Sequence, residues 1–259
     1  MSISALEIED LRRARGFLEN PGLAAKISHV FGAPIENGFQ FLPKKWKPRL
    51  VDATRKSIEA AFDVAARTID SNSTRAPSDW WHKVAVGTTG AAGGAFGLPA
   101  LVIELPVSTT IMLRSIADIA RSEGEDIWTT ESKLECIQVL ALGGVSQKDD
   151  AAETGYFATR AAMSKAVSDA LRHIAEKGII EKGAPAIVSL IVAVASRFSI
   201  TVSEKVAAQA VPILGAVGGA VINTLFMDHF QRMARGHFIV RRLERVHGIY
   251  EVRRVYHEL

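Results

Sequence analysis

The chain has 259 residues, of which 48% are hydrophobic, 7% aromatic and 23% charged, and its formal net charge is +3. This length is sufficient to bury one large core or two small ones, and the composition excludes a disordered chain. A single cysteine, Cys136, excludes a disulfide framework and a cysteine-rich zinc module.

The first stretch, residues 3–18, predicts an amphipathic helix, because leucine and phenylalanine recur among charged residues and Asn20-Pro21-Gly22 follows. Its charged residues interrupt every apolar run, so we expect no secretory signal. Together with the single cysteine, this favours a reducing, intracellular compartment.

Charge is distributed unevenly along the chain. Acidic residues dominate between residues 118 and 153, and arginines dominate after residue 228. Such asymmetry indicates an anionic partner, packing of the two segments against each other, or solvated helix faces.

A shorter basic segment, residues 43–56, contains a tryptophan among its lysines. Cations meet anionic lipid heads while tryptophan favours the membrane interface, and the same cations suit nucleic-acid phosphates. No helix-turn-helix, zinc-finger or aromatic RNA-binding motif accompanies them, so nucleic acid is not the expected partner. The predicted contacts with a membrane or another anionic partner are Lys44, Lys45, Trp46, Lys47 and Arg49.

Further helices are predicted between glycine and proline residues. They cover residues 50–69, 106–122 with Pro106 in the first turn, 130–142 capped by Thr129 or Thr130, 149 or 150 to 177, 185–198, 200–210, and 212 towards 245. With no alternating segment, the prediction is an all-α, compact bundle of eight or nine helices. We expect a buried Gly/Ala-rich helical hairpin at its centre, an N-terminal part at residues 1–49 and a main domain at residues 50–259.

Three apolar stretches raise the question of a membrane span. Residues 206–227 are free of ionisable side chains, but a helix that begins at Pro212 leaves an uncharged length of about 24 Å, short of a hydrocarbon core of about 30 Å. The stretch from Pro185 meets Arg197, and the stretch from Val84 meets Glu104. Small-residue pairs such as Gly90/Gly94, Gly93/Gly97 and Gly215/Gly219 allow close helix packing in lipid or in a soluble core. A spanning, a reversibly attached and a soluble protein all remain open.

The common catalytic signatures are missing from the sequence, including GxSxG, the phosphate loop, HExxH and CxxC. We therefore predict no metal site and no cofactor. Cys136 lies in an apolar helix, which is typical of an inert buried thiol.

Isolated charges inside apolar segments are the more informative pattern. A buried charge is costly unless it is paired, so these residues, with Lys205, are expected to meet one another or to face water. They indicate either ion pairs that fix helix register or a polar pocket able to bind a ligand or polarise water. His229 lies at the end of the apolar stripe of its helix. It is either a pocket residue or a structural histidine that is hydrogen-bonded to the backbone. The candidate pocket residues are Glu104, Arg114, Asp118, Arg197, Glu204 and His229.

Four segments resemble the EcsC family: TTGAAGGAFGLPALVIELPVSTTIMLRSIADIARSEGED, LECIQVLALGG, DDAAETGYFATRAA and SEKVAAQAVPILGAVGGAVINTLFMDHFQRMARGHFIVRRLE. They agree in order and spacing and lie within about residues 83–244. The resemblance implies a bacterial, membrane-associated protein, encoded in the founding case beside an ABC transporter. It implies no agreed activity and no catalytic residue. We expect a cytoplasmic protein, peripheral to the inner membrane.

Three functions compete. The first is a non-enzymatic protein bound peripherally to a membrane or the envelope. The second is a hydrolase or peptidase that uses the polar cluster. The third is a soluble oligomer or adaptor that meets a protein partner or itself through an exposed apolar face. A small-molecule ligand is not identified by the sequence.

Overall fold

The computed structural model describes residues 3–19, 22–32, 34–42, 44–70, 97–143, 155–178, 183–211 and 215–259. Within these ranges it contains nine α-helices, one 3₁₀ helix and no strand, which confirms the all-α prediction. The helices are α1 Ala5–Leu18, α2 Leu23–Phe31, the 3₁₀ helix Ile35–Phe41, α3 Trp46–Asp70, α4 Gly97–Ser122, α5 Thr130–Leu142, α6 Gly155–Lys177, α7 Pro185–Ala210, α8 Gly215–His247 and α9 Ile249–Glu258.

Several helix ends lie where local chemistry predicts them. The Thr129 hydroxyl accepts a hydrogen bond from the Ser132 amide at the start of α5, as predicted for an N-cap threonine. Gly178 ends α6 at a φ of 72°, a conformation that favours glycine. At α1, Ser4 and Glu7 form a reciprocal capping box.

Two boundary predictions were wrong. Pro106 lies inside α4, which begins at Gly97, although an interior proline removes one hydrogen bond and costs about 3 kcal/mol. The neighbouring Leu105 and Met112 are fully buried, so tertiary packing outweighs that cost. Residues 185–198 and 200–210 form one continuous α7 rather than two helices, because no proline or glycine separates them.

Other predictions met the structure only in part. Helix α3 begins at Trp46, before the predicted residue 50, and its Pro48 lies in the first turn, where proline is tolerated. The predicted starts near Asp149 and at Pro212 lie outside the described residues. The predicted Gly/Ala-rich hairpin involves residues 87–97 and 215–219, and of these residues 87–96 lie outside the described chain.

One hydrophobic core unites the helices. Its fully buried members include Leu11 from α1, Phe62 from α3, Met112 from α4, Phe198 from α7 and Phe238 from α8. Residues before 49 contribute Leu11, Leu18, Leu23, Ile27 and Ile35 to this same cluster. The hydrophobic core therefore continues across residue 49. The domain boundary predicted there stays a prediction.

Helix α7 lies at the centre of the described bundle. It packs against α2, the 3₁₀ helix, α3, α5, α6 and α8. Within the described chain it is also the one helix long and apolar enough to cross a membrane, a test that core helices of soluble proteins pass as well.

Helices α1 and α8 approach closely at Gly236. A Cβ atom built there would lie 2.6 Å from Leu18 Cγ and 3.0 Å from the Ala14 carbonyl oxygen. The missing side chain therefore sets the distance between the two helices.

We expect Gly236→Ala to destabilise the protein by about 1–3 kcal/mol, because overpacking of α1 exceeds the gain in helix propensity. The measurement is the urea midpoint. Gly183→Ala is the control, since nothing lies within 4 Å of a Cβ at that position. Equal midpoints for the two variants would contradict the close packing.

Candidate functional site

A surface of aromatic and basic side chains lies at the junction of the 3₁₀ helix and α3. Phe39 and Trp46 stack with their ring centroids 5.6 Å apart, and Phe41 is 52% exposed. The cations Lys44, Lys45, Lys47 and Arg49 are all exposed. We call these seven residues the basic-aromatic surface.

The four cations of this surface differ from most others in the protein. Within the described part of the chain, none of them forms an ion pair, although Lys47 Nζ lies 5.9 Å from the centre of the Trp46 ring. Nearby Lys56 and Arg55 are paired, with Asp52 and Glu59 respectively. Among the described residues, the positive charge of the basic-aromatic surface is therefore not balanced by ion pairs.

The 3₁₀ helix that carries Phe39 and Phe41 is held rigidly against α7. A Cβ atom at Gly38 would lie only 1.8 Å from the Ala207 carbonyl oxygen, so only glycine allows this approach. Ile35 is buried, and its amide donates to the Ser28 hydroxyl at 3.2 Å. The backbone that carries the two phenylalanine rings is thus packed against α7.

One of the candidate pocket residues, Glu104, forms an ion pair with the buried Lys205. Lys205 Nζ, whose side chain is 1% exposed, lies 2.7 Å from Glu104 Oε1 and 4.8 Å from the centre of the Phe226 ring. Burial lowers the pKa of Lys205, whereas the Glu104 carboxylate opposes that shift. As predicted, Glu104 and Lys205 meet each other inside the apolar sequence.

The other pocket candidates make contacts outside their set. Arg197 donates to Thr159 Oγ1 at 3.1 Å, and Glu204 accepts from the Ala24 amide at 3.3 Å. Asp118 pairs with Arg121 at 3.3 Å, and Arg114 is exposed on the same helix. A shared pocket formed by these residues stays a prediction.

His229 is buried beside the end of α5. Its Nε2 lies 3.1 Å from the Gly143 carbonyl oxygen, so Nε2–H donates to the backbone, which is the alternative that the sequence left open. Burial lowers the pKa of His229 to about 4. The ring is neutral at physiological pH.

A second polar cluster, which the sequence analysis missed, lies in the core between α5, α6 and α8. His237 is fully buried, with Nε2 3.0 Å from Glu135 Oε2 and Nδ1 3.0 Å from the Tyr156 hydroxyl. Arg241 NH1 lies 3.0 Å from Glu135 Oε1. Because the Glu135 carboxylate can only accept, His237 Nε2–H donates to it and Tyr156 donates to Nδ1.

Ion pairs extend this cluster towards the surface. Arg241 also bonds Glu125 at 2.9 Å and Glu131 at 3.0 Å, and Arg245 pairs with Glu125. On the α6 side, Arg160 holds Glu244 with two hydrogen bonds of 2.7 and 3.0 Å. The buried charge network comprises Glu125, Glu131, Glu135, Tyr156, Arg160, His237, Arg241, Glu244 and Arg245.

The electrostatics of the network favour a structural role over catalysis. Burial raises the pKa of Glu135, but the hydrogen bond from His237 and the charge of Arg241 outweigh it and hold the pKa at about 2. Burial raises the pKa of Tyr156 and lowers the pKa of His237, so neither is a ready base. At neutral pH, Glu135 is therefore ionised and Tyr156 is protonated.

A signal for the network is present in the sequence. His237, Arg241 and Arg245 recur every four residues, as do Glu131 and Glu135, so each set shares one helix face. The acidic segment and the C-terminal arginines pack against each other, which was one of the three explanations of their asymmetry.

Metal ligation finds no support in the part of the chain that the structure describes. There, no three His, Cys, Asp or Glu side chains are grouped so that they could hold an ion. Cys136 is buried, and burial raises the pKa of its thiol to about 12, so it is not a thiolate nucleophile at physiological pH.

The described chain is thus a helical protein with a cluster of buried ion pairs and, apart from it, a surface on which four neighbouring exposed cations form no ion pair with described residues. The model of the EcsC protein family matches residues 7–243, and the chain belongs to that family. The match includes most of the first 49 residues, in addition to the segments that carry the resemblance. No curated protein and no solved structure matches the chain significantly.

We expect Arg241→Met to destabilise the protein by about 3–5 kcal/mol, because it leaves buried Glu135 and Glu125 without their main counter-charge. Thermal unfolding at neutral pH measures the effect. The control is Arg254→Met, which breaks two exposed ion pairs and is expected to lower the stability much less. Similar losses in both variants would contradict the role of the network.

Acid should destabilise the protein partly through His229. The unfolded chain takes up a proton there near pH 6.5, whereas the folded protein does so only near pH 4. The stabilisation that comes from neutral His229 is complete above pH 6.5 and is lost as the pH falls towards 4. At pH 5 the free energy of unfolding is therefore lower by about 2 kcal/mol.

His229→Gln keeps a donor for the Gly143 carbonyl and removes that titration. Between pH 7 and pH 5, the variant should therefore lose about 2 kcal/mol less stability than the wild type in urea titrations. The same loss in wild type and His229→Gln would show that His229 does not titrate as described.

Proposed function

We propose that this protein binds reversibly to the anionic surface of a membrane, from the cytoplasmic side, through the basic-aromatic surface. The observation that carries the proposal is the group of four exposed cations without ion-pair partners in the described chain, beside exposed aromatic rings. We infer that its role there is non-enzymatic.

The contributions of the cations and of the rings to the membrane affinity add to each other. Each lysine or arginine near an anionic membrane surface contributes about 1 kcal/mol, and the contribution weakens with salt. The rings of Phe39 and Phe41 add apolar area that favours the interfacial region, and Trp46 is suited to the headgroup level. Because the 3₁₀ helix is already docked on Ala207, binding orders little additional chain.

A hydrolase has weaker support. The best hydrogen-bond chain, Glu135–His237–Tyr156, resembles a relay in its order of groups, but all three residues are buried. The raised pKa of Tyr156 also opposes its use as a nucleophile. The membrane proposal uses residues that a partner reaches directly.

The test is cosedimentation with phosphatidylcholine vesicles that contain about one third phosphatidylglycerol. The test variant carries Lys44→Ala, Lys45→Ala, Lys47→Ala and Arg49→Ala. We expect its vesicle affinity to fall by about 100- to 1,000-fold, and wild-type binding to weaken with added salt.

The control variant carries Arg12→Ala, Arg121→Ala, Lys165→Ala and Arg172→Ala. These cations are exposed and belong to surface ion pairs, and their removal changes the net charge equally. Binding of the control should remain within a few-fold of wild type. Wild-type protein that stays in the supernatant at low salt, or equal losses in both variants, would overturn the proposal.

A further inference from the structure

Helix α7 has an exposed face that is unusually apolar. Val188, Val192 and Ile200 are 43%, 53% and 38% exposed. In the most apolar 18-residue window of α7, only 44% of the residues are buried, although the helix is the most membrane-like of the described chain. Packing against other helices therefore explains only part of its apolar composition.

The exposed face of α7 carries no charge. All of α7 is described, and its exposed residues are Pro185, Val188, Ser189, Val192, Ser196, Ile200 and Gln209. Its charged residues turn elsewhere: Lys205 is buried against Glu104, while Arg197 and Glu204 bond to α6 and α2. A water-facing helix face ordinarily carries charged side chains.

Three serines on or beside this face have hydrogen-bond acceptors within α7. The hydroxyls of Ser196, Ser199 and Ser203 donate to carbonyl oxygens of α7 itself at 2.9, 2.7 and 2.6 Å. A hydroxyl satisfied within its own helix enters an apolar medium without losing that bond. These three serines are therefore compatible with lipid.

The exposed apolar face lies on the same side of α7 as the contact with the 3₁₀ helix. At 100° per residue, Val188, Val192, Ser199, Ser203 and Ala207 lie within about one third of the helix circumference. Ala207 is buried where Gly38 of the 3₁₀ helix contacts it. The exposed part, within residues 188–200, thus spans about 18 Å of α7 and ends about 10 Å along the helix from that contact.

We infer that α7 lies in the plane of the membrane, with Val188, Val192 and Ile200 directed towards the acyl chains. This inference rests on the proposed function and adds the orientation of the protein on the bilayer. A lipid surface fits better than a second copy of the chain. A two-fold contact over both regions would either bring the unpaired cations of two copies together or place them on the partner's α7 face, which exposes no carboxylate.

The first test uses an environment-sensitive fluorophore on single introduced cysteines. Cys136 is buried, so labelling is directed to Phe41→Cys, Val192→Cys or Lys165→Cys. With the anionic vesicles, we expect blue-shifted, stronger emission at positions 41 and 192. The control position, Lys165, has a side chain that is 88% exposed on α6 and should show no shift.

The outcomes separate the two proposals. A shift at 41 but not at 192 leaves membrane binding intact and overturns the orientation of α7. No shift at any position overturns both. A shift at 192 that depends on protein concentration without vesicles identifies self-association instead and overturns the inference.

A second test places charge on the face. Val188→Asp with Val192→Asp should lower vesicle affinity at least about tenfold more than Val246→Asp with Tyr250→Asp, which adds the same charge at exposed apolar sites elsewhere. Equal reductions would overturn the inference, because general repulsion would then account for both. Unchanged thermal unfolding confirms that each variant is folded.

Discussion

The arrangement of the bundle depends on the attraction between one face of α8 and the acidic side of α5. On α8, His237, Arg241 and Arg245 face three carboxylates. These are Glu131 and Glu135 of α5 and Glu125 of the segment before it. Several of these groups are buried, so each is tolerable only while its partner is present. A slip of α8 by one turn would break the whole set at once. The network therefore fixes the register in which the apolar core of α8 is packed.

This internal pairing determines where positive charge is left over. The C-terminal half of α8 contains many arginines, yet Arg241, Arg242 and Arg245 are bound to carboxylates of α1, α5 and the segment before α5. In α9, Arg254 is bound to Glu251 and Glu258. The cations at residues 44–49 have no such partners in the described chain. Four neighbouring cations without ion pairs among the described residues thus lie next to exposed rings.

The sequence predicted what depends on neighbours along the chain. The Thr129 cap acts within one helical turn, and it was one of the two caps predicted for α5. The helix start predicted at Pro106 was wrong because the local cost of the proline is offset by the burial of Leu105 and Met112, which only the packed structure reveals. The contacts of His237 were not predicted, because its partners Tyr156 and Glu135 lie 81 and 102 residues away. Ion pairs between helices can be recognised only when the fold is known.

Helix α7 reconciles two properties that the sequence could not separate. Its apolar residues were expected either to cross a membrane or to fill a soluble core, and the structure assigns residues such as Ile187, Leu190 and Val194 to the core. Val188 and Val192 gain nothing from that core, because they are exposed. Exposed valines on a charge-free face are costly in water unless a partner covers them. A helix buried on one side and lipid-facing on the other satisfies both demands without leaving the bundle, whereas a spanning α7 would have to give up its contacts with the helices around it.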